Sequence, residues 1–541
     1  MTNRTFKTGV CREQASFLPA RVEDYVGAAN PVRAIEAYVC ALSLETLGFR
    51  HAEAGGGAGQ PPYNPADLLK LYLYGYLNQI RSSRRLEREA QRNLELIWLL
   101  RGLTPGYRTI GNFRKDNWAA LKATNREFVL LARELDLVSG ALVAIDGSFF
   151  HGDASKASIV TRKRLAEQLA ALDRDIEAYG GALEANDAAE EAHSPAGDDG
   201  GDRDGVEVTQ KVAALMAKRA QAQADLGRLE QGGETQLSRT DADARLLSKR
   251  GQTVAGYNVQ VAVDEKHKLI VASEVVNDGN DTGQLHAVAD AAKQALGVET
   301  LTVLADSGYY NGETLKDCEA DGITAYVPPP QRNGRLVAQG RFSHEEFRYD
   351  ADADAYRCPA EALLRPMSGH KEDASGKRYI LYVSRKSDCG TCPLRGRCLS
   401  DKADRRTIYR WEHEDVLERH RARMADAAEL MRRRSALAEH PFGTLKCRAG
   451  YRHFLLRGFD KVRGEWSLMA LCYNLSRVAA VVGIGPLIAY LAKPAAQFVL
   501  LLLWRVIAAV MDRIRQLQTV IWRVPARFGA FVRPSPGYPA W

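Results

Sequence analysis

The sequence predicts an α/β protein built on a mixed sheet. Two apolar segments, "ALVAIDGSFF" and "TLTVLAD", have the length and composition of buried strands, and each strand is expected to end on an aspartate, Asp146 in the first and Asp306 in the second. Between them, residues 256–276 alternate and turn at 264–268, which predicts a β-hairpin. Helical patterns over 281–296 and 311–322 then alternate with strands. Because a hairpin precedes this alternation, the sheet is expected to be mixed rather than all-parallel.

The first 140 residues are expected to form a helical domain. Asn64 followed by Pro65 is a helix-start pattern, and the apolar residues that follow recur at helical spacing. Residues 81–115 contain nine basic residues against three acids. This basic helical unit is either a DNA reader of the helix-turn-helix kind or an ordinary solvated helix face, and charge alone does not decide between them.

A long helical hairpin is predicted to interrupt the sheet. Residues 156–183 and 208–231 are rich in Ala, Leu and Arg, and the strip between them carries nine acids and one Arg over 184–207. An acidic, glycine-rich strip of this kind is typical of a disordered hairpin tip. The hairpin is either a dimerisation arm or a feature internal to one subunit.

Composition places the chain among globular proteins of several domains. It has 541 residues, 45% hydrophobic and 26% charged, and its net charge of +7 argues only weakly for a polyanionic partner. The N-terminus lacks a signal-type apolar stretch, which predicts a cytoplasmic protein. Residues 494–511 are the one membrane candidate, but Arg505 lies inside them, so a core or amphipathic helix is favoured and a membrane partner is not expected.

Two strand-terminal acids suggest a metal site. Asp146 and Asp306 each precede a small polar stretch, "DGS" and "DSG". If the strands are neighbours, the carboxylates lie side by side and need a cation to be ionised together. A pair of Mg²⁺ ions would meet that need and would support phosphoryl transfer. Taken singly, each aspartate could instead cap a turn.

A third acid completes a family pattern. Glu439 lies on a helical stretch, and Lys446 follows seven residues later. The motifs "AIDGS", "LADSGYYN" and "RRRSALAEHPFGTLK", with "RGFDKVRGEWSLMALCYNL" after them, resemble those of bacterial insertion-sequence DDE transposases. The helical front of the chain is similar to the N-terminal domain of the same group, so the resemblance covers most of residues 15–480. It implies an RNase H-like catalytic sheet of the retroviral-integrase superfamily.

The resemblance also implies the site residues. It assigns Asp146, Asp306 and Glu439 as ligands of Mg²⁺ or Mn²⁺. The family's Arg is retained with a shift, five residues before Glu439 rather than four, and its Tyr is missing. Glu465 is a rival third acid, but its surroundings favour a structural helix position. The residues expected to contact DNA are Lys446, Arg434, Arg81, Arg84, Arg85, Arg88 and Arg114.

The implied function is DNA transposition. Water would attack at the element end and free a 3′-hydroxyl, which would then attack target DNA. The expected partners are the terminal inverted repeats, the target DNA and a second subunit in a synaptic homodimer on the bacterial nucleoid, with no small-molecule substrate. Two alternatives are a catalytically inactive DNA-binding relative and a metal-dependent nuclease that does not join strands.

The cysteine pattern predicts a second metal site. Cys358, Cys389, Cys392 and Cys398 follow the spacing C-x30-C-x2-C-x5-C. Four thiolates with one C-x2-C pair suit a tetrahedral structural Zn²⁺ site, and free thiols are the alternative.

These patterns predict five segments. They are a helical DNA-binding domain over 1–140, a first core part over 141–330 with the hairpin at about 156–250, a cysteine-rich insertion over 331–425, a second core part over 426–480, and a hydrophobic, basic helical tail of unknown role over 481–541.

Overall fold

A computed structural model of the chain describes residues 21–53, 61–192, 203–249, 251–330, 338–374 and 376–492. The chain divides into two compact units, Leu44–Val481 and a smaller one made of Met1–Ser43 with Val482–Trp541. The predicted tail lies outside the described residues beyond 492, and so does the membrane candidate at 494–511.

The larger unit is built on the predicted mixed sheet. Strand β1 pairs antiparallel with β5 and parallel with β7, and β7 pairs parallel with β8. On its other edge, β5 pairs with β4 through residues 252–256 and with β6 through residues 258–263. Along the second of these stretches the strand order is β6–β5–β1–β7–β8, the order of an RNase H-like sheet. The strands are β1 (Leu142–His151), β4 (Arg245–Lys249), β5 (Gln252–Asp264), β6 (Ile270–Val276), β7 (Leu301–Leu304) and β8 (Ile323–Tyr326).

Helices pack against this sheet and bury its strands. The last ten residues of β5 are buried, as expected for a central strand covered on two faces. Helix α9 (Leu285–Leu296) contacts β6, β5 and β1, and helix α14 (Ala428–Gly443) contacts β1, β5 and β7. The α14 contact is an apolar cluster of Leu142, Ala144, Leu304, Leu437 and Ala438.

In the described part of the larger unit, five α-helices precede the sheet. The start predicted at Asn64 is confirmed, since its side chain accepts a hydrogen bond from the Ala66 N–H at 2.8 Å. The next helices pack on this one, and the Tyr72 hydroxyl donates to the Ile110 carbonyl at 2.7 Å. The helices are α2 (Pro65–Leu77), α3 (Ser83–Arg92), α4 (Leu94–Leu99), α5 (Tyr107–Asp116) and α6 (Trp118–Glu134).

The predicted helical hairpin is inserted between β1 and β4. It consists of α7 (Arg162–Ala192) and α8 (Arg203–Gly232), with the short strands β2 (Ile159–Thr161) and β3 (Gln236–Ser238) at its base. An apolar cluster at that base fixes the two helices to each other.

The cysteine-rich segment contains a second, antiparallel sheet that the sequence did not indicate. Its strands are short or largely exposed, so they lack a clear alternation. The strands are β9 (Arg348–Asp350), β10 (Ala355–Arg357), β11 (Leu363–Glu372), β12 (Arg378–Val383) and β13 (Thr407–Trp411). Helix α10 (Gly312–Ala320) precedes this sheet in the chain. Between β12 and β13 lie α11 (Lys386–Gly390) and α12 (Arg395–Cys398), and α13 (Glu414–Ala425) follows β13.

Two helices complete the described chain. Helix α15 (Phe459–Val482) closes the larger unit, and its segment 464–475 is buried throughout. The smaller unit contains α1 (Pro31–Cys40) and α16 (Ile484–Leu491), which contact each other. In the described part of the chain, no single helix is long and apolar enough to cross a membrane; only α15 and α16 taken together reach that length and composition, as a bent pair.

Candidate active site

The two predicted aspartates lie near each other, but only Asp306 follows the end of its strand. The strand predicted to end at Asp146 continues to His151, and Asp146 is paired with Val261 of β5 in the middle of β1. In the parallel pairing of β1 with β7, Ala144 is opposite Leu304, the last residue of β7, and each aspartate follows two residues later. Both aspartate side chains are partly exposed.

The surroundings of Asp146 disfavour its negative charge. Burial raises the pKa of this carboxyl to about 6, and the nearby charge of Asp306 also raises it. Three groups oppose that rise: the Arg434 guanidinium, the Gly147 N–H, which donates to Asp146 Oδ1 at 2.9 Å, and the Lys249 ammonium. A bound cation would therefore stabilise the two neighbouring carboxylates in their ionised form.

The third predicted acid is near the sheet but is not assembled with the aspartates. Leu437 and Ala438 on α14 pack against β1 and β7. The next residue, Glu439, is exposed and accepts a hydrogen bond from Ser435 Oγ at 2.6 Å. Across the described ranges, no three His, Cys, Asp or Glu side chains are arranged to hold a metal ion. The structure thus brings two of the three predicted ligands together.

Lys446 lies at the end of β1. Its ammonium donates to Ser148 Oγ at 2.6 Å and to the Phe149 carbonyl at 2.5 Å, and it lies 4.2 Å from the centre of the Phe150 ring. Burial lowers the pKa of this amine to about 8, against the opposing effect of the Asp146 charge. The predicted DNA-contacting lysine is therefore within electrostatic range of Asp146.

Arg434 supplies a second cation with unused hydrogen-bonding capacity. Its charge lowers the pKa of Asp146, so this guanidinium lies within electrostatic range of that acid. Its Nη1 is buried and has no hydrogen-bond partner among the residues the structure describes. A buried guanidinium nitrogen without an acceptor is suited to an anionic oxygen, such as that of a phosphate.

Sequence reasoning missed Lys249 and Asp281. The Lys249 ammonium donates to Asp281 at 2.9 Å, and the charges of Asp306 and Asp146 contribute to raising the pKa of this lysine. Neither residue lies in a family motif or next to the predicted acids in sequence. The β4–β5 pairing brings Lys249 to the site, and periodicity could not reveal that contact.

The predicted DNA-contacting arginines differ in exposure. Arg84, Arg85 and Arg88 on α3 are exposed, and the Arg84 guanidinium lies 5.3 Å from the centre of the Tyr107 ring. These three side chains form a basic surface that can reach a phosphate backbone.

Arg81 and Arg114 instead take part in an internal ion pair. Their guanidinium groups lie 3.9 and 3.6 Å from the carboxylate of Glu465, which is completely buried. Glu465 also accepts hydrogen bonds from the Leu455 and Leu456 N–H groups at 2.9 and 3.1 Å. Arg114 is itself buried, so its guanidinium does not face solvent, and Glu465 has the contacts of a structural residue.

The four predicted zinc ligands converge on one cavity. Cys358, Cys389, Cys392 and Cys398 all line a cavity of about 220 Å³ and are all free thiols. The pKa of the Cys398 thiol is raised, mainly by burial, with contributions from the other three cysteines. The thiols are neighbours, although they do not form a preassembled metal-binding group.

Comparison with known proteins gives two family matches. A transposase DDE domain matches residues 357–479, and a transposase domain (DUF772) matches residues 20–116. No curated protein matches the chain. A solved structure, the piggyBac transposase synaptic complex with hairpin DNA, aligns over 86% of this chain and 80% of its own at 8% identity, with a TM-score of 0.30, which is too low to support a conclusion.

An RNase H-like sheet with two neighbouring aspartates, together with two segments that match transposase domains, supports the general class of DNA transposases. The chain is thus similar to transposases in both matched segments, and the second of these is similar to a DDE domain. The matched DDE segment contains Glu439 and Lys446 and begins after both aspartates.

Proposed function

We propose that this transposase cleaves DNA at the ends of an insertion sequence and transfers the freed 3′-hydroxyl strand to target DNA. Asp146, Asp306 and Glu439 are the proposed ligands of Mg²⁺ or Mn²⁺. The observation that carries the proposal is the parallel pairing of β1 with β7 up to Ala144 and Leu304, two residues before each aspartate, together with the effect of the Asp306 charge on the pKa of Asp146. Their carboxylate oxygens are the hard donors that Mg²⁺ prefers.

A divalent metal at this site would activate the attacking oxygen and shield the charge that develops on phosphorus. The protein's own cations extend that shielding. Arg434, with its unpartnered buried nitrogen, is placed to meet a phosphate oxygen. Lys446 is held at the end of β1 by two hydrogen bonds, where it can orient the DNA strand.

Glu439 joins the aspartates in this proposal only after a local change. Its present partner is Ser435, and that hydrogen bond has to be exchanged for the metal. Packing of Leu437 and Ala438 with Ala144 of β1 and Leu304 of β7 keeps this part of α14 close to the segments that lead to the two aspartates.

DNA binding is assigned first to the exposed arginines of α3. Arg84, Arg85 and Arg88 would contact phosphates and position the element's terminal inverted repeats. Residues 1–140 would then serve as the DNA-binding domain, and 141–330 with 426–480 as the catalytic core. Because two element ends must be held together, we assign a homodimer to the synaptic complex on the bacterial nucleoid in the cytoplasm.

The cysteine-rich insertion over 331–425 is assigned a structural Zn²⁺ ion. Four thiols around one cavity are the donors that a closed tetrahedral zinc site requires. Metal analysis of the purified protein tests this: about one zinc per chain is expected. Cys389→Ser should lose the metal, whereas Cys447→Ser, at an exposed cysteine outside the cavity, should retain it. Full zinc content in Cys389→Ser would refute the assignment.

The catalytic proposal is tested by incubating labelled DNA that carries the element's terminal repeats with wild type and with Asp306→Asn. Cleavage should require Mg²⁺, stop with chelator and disappear in the variant while DNA binding persists. Binding without cleavage by either protein would favour a non-catalytic relative. Cleavage without strand joining would favour a nuclease.

A further inference from the structure

A buried carboxylate, that of Asp281, lies close to the proposed metal site. Asp281, in the loop before α9, is only 4% exposed. Its carboxylate accepts hydrogen bonds from Asn258 Nδ2 at 2.8 Å, from Gln260 Nε2 at 2.7 Å and from Lys249 Nζ at 2.9 Å. One aspartate therefore gathers three polar side chains from β4 and β5.

This cluster contacts the backbone next to Asp146. Gln260 is paired with Gly147 across the β5–β1 ladder, so the Gln260 side chain points to the sheet face opposite the Asp146 side chain. A Cβ added at Gly147 would be 2.4 Å from Gln260 Nε2 and 2.6 Å from Asp281 Oδ1. The missing side chain at Gly147 is what lets the cluster approach this closely.

The same cluster contacts the segment that carries Asp306. A Cβ added at Gly308 would be 3.7 Å from Asp281 Oδ2, and Thr282 Oγ1 donates to the Gly308 carbonyl at 3.3 Å. The hydroxyl of the fully buried Tyr309 donates to Gln260 Oε1. Asp281 is thus connected to both stretches that bear the proposed metal-binding aspartates.

The position of Lys249 makes this connection relevant to metal binding. Its ammonium is half-buried and close enough to both proposed ligands that their charges raise its pKa. A lysine released from Asp281 could pair directly with those carboxylates. It would then occupy the place that a divalent cation needs.

We propose that Asp281 is a positioning residue of the metal site. Asp281 fixes the spacing of the two segments that carry Asp146 and Asp306. It also restrains the Lys249 ammonium, so that this ammonium does not compete with the metal. This inference rests on the proposed metal-dependent function and adds to it residues that act through the ligands rather than on the substrate.

Substitutions separate the two consequences. Asp281→Asn keeps the shape and an oxygen acceptor for the two amides but removes the charge that holds Lys249. We expect metal affinity to fall on the order of tenfold, the range typical of residues that orient metal ligands. Adding Lys249→Met to Asp281→Asn removes the competing ammonium, so the double variant should recover most of the lost affinity. Lys249→Met alone should bind metal at least as tightly as wild type.

The experiment is a titration of full-length protein with Mn²⁺, followed by electron paramagnetic resonance of the free ion, with Asp306→Asn as the reference for loss of the site. Melting curves check that each variant is folded. Unchanged Mn²⁺ affinity in Asp281→Asn would overturn this inference but not the proposed metal site. So would a double variant as weak as the single one, or weaker binding by Lys249→Met, since both indicate a purely structural role. If wild type and Asp306→Asn bind Mn²⁺ equally, the proposed metal site fails and this inference fails with it.

Discussion

Replacing Asp146 with Asn should remove activity and stabilise the metal-free protein. Burial raises the pKa of this carboxyl from 3.8 to about 6, so the fold prefers its neutral form. A group with a raised folded-state pKa binds more protons in the folded than in the unfolded protein between these two values. The wild type therefore loses stability as the pH rises from about 4 to about 6, and the loss persists above pH 6.

The magnitude follows from the same pKa change. A rise from 3.8 to about 6 corresponds to about 3 kcal/mol of unfolding free energy, as an upper bound. Asp146 is partly exposed, and solvent screening reduces this to about 1–2 kcal/mol. Because a unit of this size has a large unfolding entropy, the gain in melting temperature should be about 2 °C.

Differential scanning calorimetry at pH 4, 5.5 and 7.5 without divalent metal tests this prediction. The difference in melting temperature between Asp146→Asn and wild type should grow from pH 4 to pH 7.5, and Mg²⁺ should raise the melting temperature of wild type only. Asp175→Asn, at an exposed aspartate of α7, is the matched control and should show no such growth. A difference that is independent of pH would refute the assigned burial of charge at Asp146.

Three further predictions concern the supporting residues. Gly147→Ala places a Cβ 2.4 Å from Gln260 Nε2 and should cost about 1–3 kcal/mol in urea unfolding, whereas Gly279→Ala, with open space around it, should cost little. Glu465→Ala leaves the buried Arg114 without its carboxylate partner and should destabilise the protein by about 3–5 kcal/mol in the same assay; loss of cleavage with stability retained would instead support Glu465 as a catalytic acid. Affinity for DNA by fluorescence anisotropy should fall as the pH rises through about 8, where Lys446 loses its charge, and Lys446→Met should flatten that dependence.

Local patterns predicted the parts of the site that depend on local structure. The apolar segments before Asp146 and Asp306 are strands, as predicted, but β1 does not end at Asp146: it continues to His151, and Phe150 within that continuation is buried. The hairpin predicted over residues 256–276 is β5 and β6 with the turn between them. In each case the side-chain periodicity reflects which face of a strand is buried, so the sequence contains the information.

Long-range partners were not predictable in this way. The number of basic residues over 81–115 could not distinguish the exposed Arg84 from the buried Arg114. Arg114 forms an ion pair with Glu465, a residue that is far from it in the sequence. Asp281 gave no sequence pattern for the same reason. Its role depends on Lys249, which reaches it only through the pairing of β4 with β5.

Helix α14 presents Arg434 and the third proposed ligand, Glu439, in different directions. Arg434 and Glu439 are five residues apart, so on a regular helix their side chains point about 140° apart. Arg434 is beside Asp146, whereas Glu439 is exposed and bonded to Ser435, four residues before it on the same helix face. A π-helical segment, Thr444–Arg448, follows α14 and offers a place where the helix register can change.

We therefore expect α14 to turn or shift when DNA binds, which would bring Glu439 to the aspartates. Glu439→Gln should leave Mn²⁺ binding to the DNA-free protein unchanged and yet abolish cleavage of terminal-repeat DNA. Asp306→Asn is the comparison, since it should lose both. If Glu439→Gln weakens Mn²⁺ binding in the absence of DNA as much as Asp306→Asn does, then Glu439 is already a ligand in the free protein and no movement of α14 is required.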